Sequence, residues 1–186
     1  MELKTNWLNW ILRLLVLAAV VIAVISFTQP WWKGFISGGV INIYGWGLRH
    51  TARNISQYLV GDVTPDWQVN LAWGFVALSS IVAIIGVFIK RWRGSLLTGI
   101  AGIGFIAYAY TAMYVVISDR LADFSAPLEG YFPIGLGVTL NASIQSSYYL
   151  AYVAGGIMLL VAIAKGILAF TNSRKGTNQI TEQSIG

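Results

Sequence analysis

Residues 71–89 and 95–118 are runs of 19 and 24 residues without a charged side chain, and Lys90-Arg91-Trp92-Arg93-Gly94 is all that separates them. At a rise of ~1.5 Å per residue and a hydrocarbon core of roughly 30 Å, each run is long enough to cross a bilayer as a helix. Three cations in five residues mark the turn as cytoplasmic by the positive-inside rule. Counting outward from it gives four spans, at about 7–28, 71–89, 95–118 and 148–168, with outer loops at 29–70 and 119–147. A hydrophobic content of 56% with only 10% charged residues excludes an ordinary soluble domain, where about 25% of residues are charged. The 186 residues therefore read as a single integral membrane domain.

This threading also accounts for the net charge of +5. Eight of the cations and two acids, Glu2 and Glu182, fall inside; Lys33, Arg49, Arg53 and Arg120 fall outside with Asp62, Asp66, Asp119, Asp123 and Glu129. The inner side is then strongly basic and the outer side nearly neutral. The basicity belongs to topology and implies lipid headgroups as its counterpart, with no nucleic-acid partner. The expected location is the cell membrane, multi-pass, with both termini cytoplasmic. Cysteine is absent, so disulfides and thiolate chemistry are excluded. The first span needs Trp7, Trp10 and a snorkelling Arg13 to reach full length. No convincing small-x-small cleavage site follows it, which favours a retained helix over a signal peptide.

The first outer loop is far longer than the ~4–6 residues of a simple connection. Gly38-Gly39, the β-branched run at 40–44 and Gly45-Trp46-Gly47 predict a strand bounded by turns, paired with residues 32–36. Residues 51–60 have the spacing of a short surface helix. In the second outer loop, residues 138–140 predict a short strand between the breakers Pro127 and Pro133 and the fourth span. Together the loops are expected to form a small sheet with 40–44 central and 138–140 at an edge. The tail at 171–186 is polar and reads as structureless.

Small residues in the spans point to close helix packing, because lipid gives helices no hydrophobic reason to associate. Gly99, Gly102 and Gly104 on the third span face Ala151 and Gly155 on the fourth in this reading, with closest approach from Gly102 toward residue 109. Trp32, Tyr44, Trp46 and Trp67 are candidates for contacts of the outer loops, although most outer aromatics suit an interfacial belt. Asn54-Ile55-Ser56 and Asn141-Ala142-Ser143 have the form of glycosylation acceptors at Asn54 and Asn141. Lys165 marks the inner headgroups.

The chemistry of catalysis is sparse. His50 is the only histidine and has no thiols or clustered carboxylates beside it, so no metal site is expected. The spans lack the mid-membrane carboxylates and cations of proton relays. Asp62 with Asp66, and Asp119 with Asp123, read as solvated loop charges. No cofactor and no enzymatic activity are expected.

The threading, together with Pro30-Trp31-Trp32 after the first span and Gly45-Trp46-Gly47-Leu48 further on, resembles the claudin and peripheral-myelin-protein superfamily of tetraspans. Claudins carry a tryptophan and then Gly-Leu-Trp in this loop. The order here is permuted, and the two cysteines that follow in claudins are absent, so that loop disulfide cannot form. The resemblance implies an all-α membrane protein: a left-handed four-helix transmembrane bundle under a small extracellular β-sheet built from the two outer loops. It also implies non-enzymatic work by self-assembly, adhesion or service as an accessory subunit, with a homo-oligomer or other membrane subunits as partners. The alternative is a subunit of a membrane-embedded enzyme or transporter whose site is shared with its partners.

Overall fold

The computed structural model describes residues 2–36, 39–49, 64–89, 92–122, 127–135 and 138–183. The short helix expected at 51–60, His50, the Asn54 acceptor, Asp62 and Asp123 lie outside the described residues, as does the Lys90-Arg91 pair of the basic turn.

Four helices long and apolar enough to cross a membrane are present among the described residues, with spanning stretches Trp7–Thr28, Asp66–Phe88, Trp92–Ile117 and Ser146–Thr171. They belong to α1 (Glu2–Thr28), α2 (Asp66–Phe88), α3 (Trp92–Thr111) with its π-helical continuation Ala112–Ile117, and α5 (Ser146–Gln183); α4 (Ser118–Ala122) extends the third helix. Neighbouring contacts run α1–α2–α3–α5 and back to α1. That order closes a ring in which α2 and α5 are diagonal. Small side chains fill the seam between α3 and α5, the most extensive of the bundle: Ala101, Ala109, Ala151 and Ala154 are all buried.

Two helices are longer than composition implies. α1 begins at Glu2, and α5 continues through Gln183, so the tail read as structureless is helical over most of its length. A helix pays its nucleation cost once and then gains a bond per added residue. The span supplies that nucleus, and no proline interrupts residues 146–183.

Among the described residues five strands form one antiparallel sheet in the order β3-β2-β1-β5-β4, with β1 Pro30–Ile36, β2 Gly39–Tyr44, β3 Gly47–Arg49, β4 Gly130–Gly135 and β5 Val138–Ile144. The pairing of 32–36 with 40–44 is as the sequence suggests, but the placement of the strands corrects it twice. The centre is β1, bonded to β2 on one side and β5 on the other. The strand expected at an edge, β5, is interior, and the edge is taken by β4, whose Pro133 had read as a breaker. Edge position is where a strand tolerates a residue lacking an N–H.

A register shift between Pro30 and Trp32 explains the inner packing. Successive residues of a regular strand face opposite sides, yet Trp31 and Trp32 are both fully buried. A bulge adds the residue that lets both indoles turn inward. Trp31, Trp32 and Tyr148 are therefore core residues rather than members of an interfacial belt, and Trp32 is unavailable as an outer contact.

At the opposite end of the bundle Lys165 does not reach outward. Its ammonium crosses the ring from α5 to α2 and donates to the carbonyls of Gly86 (2.7 Å), Val87 (2.7 Å) and Ile89 (3.0 Å). These are among the last carbonyls of α2, which have no partner within their own helix, and a cation there also complements the helix dipole. Arg13 of α1 lies beside the same terminus, its guanidinium 4.9 Å from the Phe88 ring and 5.3 Å from that of Trp10.

Candidate contact surface

The sheet is seated on the bundle by hydrogen bonds rather than by apolar contact alone. The Trp31 indole N–H donates to the Ser26 carbonyl (2.9 Å) and to its hydroxyl (3.1 Å), and that hydroxyl donates to the Ser147 carbonyl (2.6 Å). The Ser147 hydroxyl in turn donates to the Pro30 carbonyl. One loop thus ties the end of α1, the start of β1 and the start of α5 together. Gln145 N–H bonds to the Trp31 carbonyl at 2.8 Å, and the Trp32 indole donates to the Leu128 carbonyl at 2.8 Å. Around these bonds Phe27, Trp31 and Tyr108 pack with centroids 5.5–6.4 Å apart. Buried polar groups without partners are costly, so this satisfied network fixes the sheet to one position.

The turn from β2 to β3 sits on the third helix. Tyr108 donates its hydroxyl to the Gly45 carbonyl at 2.8 Å, and a Cβ at Gly45 would lie within 2.5–2.8 Å of the Trp31 ring, so only glycine fits there. Gly47 has φ of 134°, a conformation open to glycine and strained for other residues. Tyr44 and Trp46 stack on one another, 4.6 Å between centroids and 12° between planes. Leu48 N–H bonds to the Thr64 hydroxyl oxygen at 2.8 Å, which returns the chain toward α2.

One face of the sheet looks away from the core. The register aligns Phe35 of β1 with Asn141 of β5, and Asn141 with Tyr131 of β4. The row, which continues to Val40 of β2, holds two exposed aromatics, with Phe35 46% and Tyr131 78% exposed. The next row on the same face joins Asn42, Lys33 and Ser143. The Asn42 carboxamide oxygen is buried and has no hydrogen-bond partner among the described residues. Such an acceptor is uncommon in a folded protein. The face combines the aromatic area of Phe35 and Tyr131, the cation of Lys33 and the amides of Asn42 and Asn141. Among the described residues there is no group of three or more His, Asp or Glu side chains that could hold a metal.

The candidate residues from the sequence divide. Gly102 and Gly155 meet at the closest approach of α3 and α5: a Cβ on either would lie 2.8 Å from the carbonyl oxygen of the other. Gly99 faces Ala162, where an added Cβ would lie at ordinary contact distance, and Ala151 is buried. Gly104 faces Phe75 on α2 instead of α5, since two residues along a helix turn a side chain by ~200°. Tyr44 and Trp46 are half-buried at the sheet margin, while Trp67 is exposed in the first turn of α2. Asn141 lies mid-strand in interior β5, with Ser143 on the same face. Phe35, Tyr131 and Asn42 escaped sequence reasoning, because their shared face depends on a strand order that no local pattern displays.

Four helices long and apolar enough to cross a membrane, carrying a small antiparallel sheet at one end, mark a multi-pass membrane protein by length and composition. No protein-family model matches the chain, and no curated protein matches it.

Proposed function

We propose that this is a claudin-like, non-enzymatic tetraspan that works by contact. Its sheet stands on the outer side of the cell membrane, and it assembles with further copies or with other membrane subunits through that sheet and its lateral helix faces. The observation that carries the reading is the aromatic row from Phe35 through Asn141 to Tyr131, exposed on a sheet whose seat is rigidly hydrogen-bonded. A rigid platform loses little entropy on association, and aromatic residues are enriched where proteins meet. Exposed Trp92 at one end of α3 and Tyr110 near the other are eighteen residues, or about 27 Å, apart along the helix. That separation matches the two aromatic belts of a ~30 Å hydrocarbon core. Gly74 and Gly156 are notches in the bundle surface, where an added Cβ would meet nothing within 4 Å. Such notches let a neighbouring helix approach closely.

The test is extraction in mild detergent followed by native mass analysis of the full chain and of a Phe35→Ser/Tyr131→Ser variant. A homomeric or heteromeric assembly that the double substitution weakens at least tenfold is expected. A monomer under every extraction condition would remove the proposal. A stoichiometric complex that carries a bound cofactor and survives both substitutions would favour the enzyme or transporter subunit instead.

A further inference from the structure

A cavity of about 190 Å³ lies between the β2–β3 turn, the first turns of α2 and the last turns of α3 with its π-helical continuation. Fourteen described residues line it, and none of them carries a charge. Trp46, Ala72, Ala112 and Val116 give it apolar walls, and Gln68 and Thr111 add an amide and a hydroxyl. Ala112 and Val116 both come from the π-helical segment, a rare geometry that recurs at functional sites. An apolar cavity of ~150 Å³ in a soluble protein stays dry and takes up benzene, and a bound water needs two to four polar partners. Volume and a mostly apolar lining suit a ring or a short hydrocarbon segment, with Gln68 and Thr111 left to meet one polar atom.

Access is set by the rim. Thr111 and Val116 are exposed on the third helix just beyond Tyr110, so the cavity opens at the outer interface of the bilayer. Uncharged walls reject phosphate and ammonium groups, because burying an unpaired charge is prohibitive. We propose that this cavity binds a neutral hydrophobe bearing one hydroxyl or carbonyl, which enters from the bilayer. Its apolar body packs between Trp46, Ala72 and Ala112, and its oxygen meets Gln68 and Thr111. The inference rests on the bundle crossing a bilayer and is independent of the contact role of the sheet. Two sources present this chemistry: the ester-linked start of a lipid tail, and a free small alcohol.

The test uses the full chain in phosphatidylcholine nanodiscs with a diazirine-bearing octanol, and its adducts are mapped by peptide mass analysis. Adducts should concentrate at Trp46, Gln68 and residues 111–116, and excess unlabelled octanol should reduce them at least tenfold. Ala112→Phe, which fills the cavity, should cut the same adducts at least fivefold and spare those at Leu78 and Ile103 on the bundle exterior. Even labelling of Leu78, Ile103 and the cavity in the native chain, or labelling that octanol does not displace, overturns the site whatever Ala112→Phe does to folding. Repeating the labelling in detergent without phospholipid distinguishes the sources. A rise supports the lipid ester as resident, and an unchanged level supports the free alcohol.

Discussion

Replacing Lys165 with Met keeps the length of the side chain and removes three hydrogen bonds to the end of α2. Ile89 lies at the margin, so its carbonyl can turn to water, whereas the contacts to Gly86 and Val87 are buried. Leaving a buried acceptor unsatisfied costs ~1–3 kcal/mol, so the two carbonyls together lose roughly 2–6 kcal/mol. Part is recovered, because the variant no longer desolvates an ammonium, a penalty that can rival the gain from its partners. A net loss of about 2 kcal/mol is expected, which for a chain of this size lowers the unfolding temperature by at least ~4 °C. Lys165→Arg keeps the charge but presents a planar fork in place of a compact ammonium, so it should fall between the two. The assay is thermal unfolding followed by tryptophan fluorescence, with all three proteins in one detergent. A Lys165→Met protein as stable as the parent would mean that the diagonal tie from α5 to α2 does nothing, and the reasoning from carbonyl satisfaction would fail.

Two further outcomes are expected. Gly102→Leu forces a side chain into a gap where even a Cβ lies 2.8 Å from the Gly155 carbonyl oxygen and 3.1 Å from Leu159; it should cost ~1–3 kcal/mol by overpacking, while Leu97→Ile stays near neutral, and equal unfolding temperatures for the two would place Gly102 outside the packing seam. Amide exchange should be slowest at residues 32–35 of β1 and 141–142 of β5, which are paired on both sides, and faster along edge strand β4; equal rates in β1 and β4 would contradict the strand order.

The bundle was legible because its cause is compositional: uncharged runs of spanning length can be counted, and the glycines that allow α3 to meet α5 stand in those runs. The strand at 40–44 was legible from its β-branched residues and flanking glycines. What escaped depends on relations between distant segments. Lys165 resembles a headgroup lysine until the ring order brings α5 across from the carbonyls of α2. Trp31 and Trp32 resemble belt residues because alternation allows only one of them inside, and the bulge that admits both is invisible in a linear pattern. β4 was hidden by Pro133, which is compatible with a strand only once an edge is available for it. The exposed sheet face and the cavity were missed for the same reason, since each is assembled from three or more segments.

The account depends most on the bundle crossing the bilayer with its sheet outside. In this cysteine-free chain, Asp66→Cys places a thiol at an exposed site in the first turn of α2, at the sheet end of the bundle, and Lys175→Cys places one beyond the spanning stretch of α5, which ends at Thr171. With an impermeant maleimide on intact cells, the Asp66→Cys variant should label and the Lys175→Cys variant should label only after permeabilisation. Labelling of the Lys175→Cys variant alone in intact cells would invert the topology and contradict the outward-facing sheet.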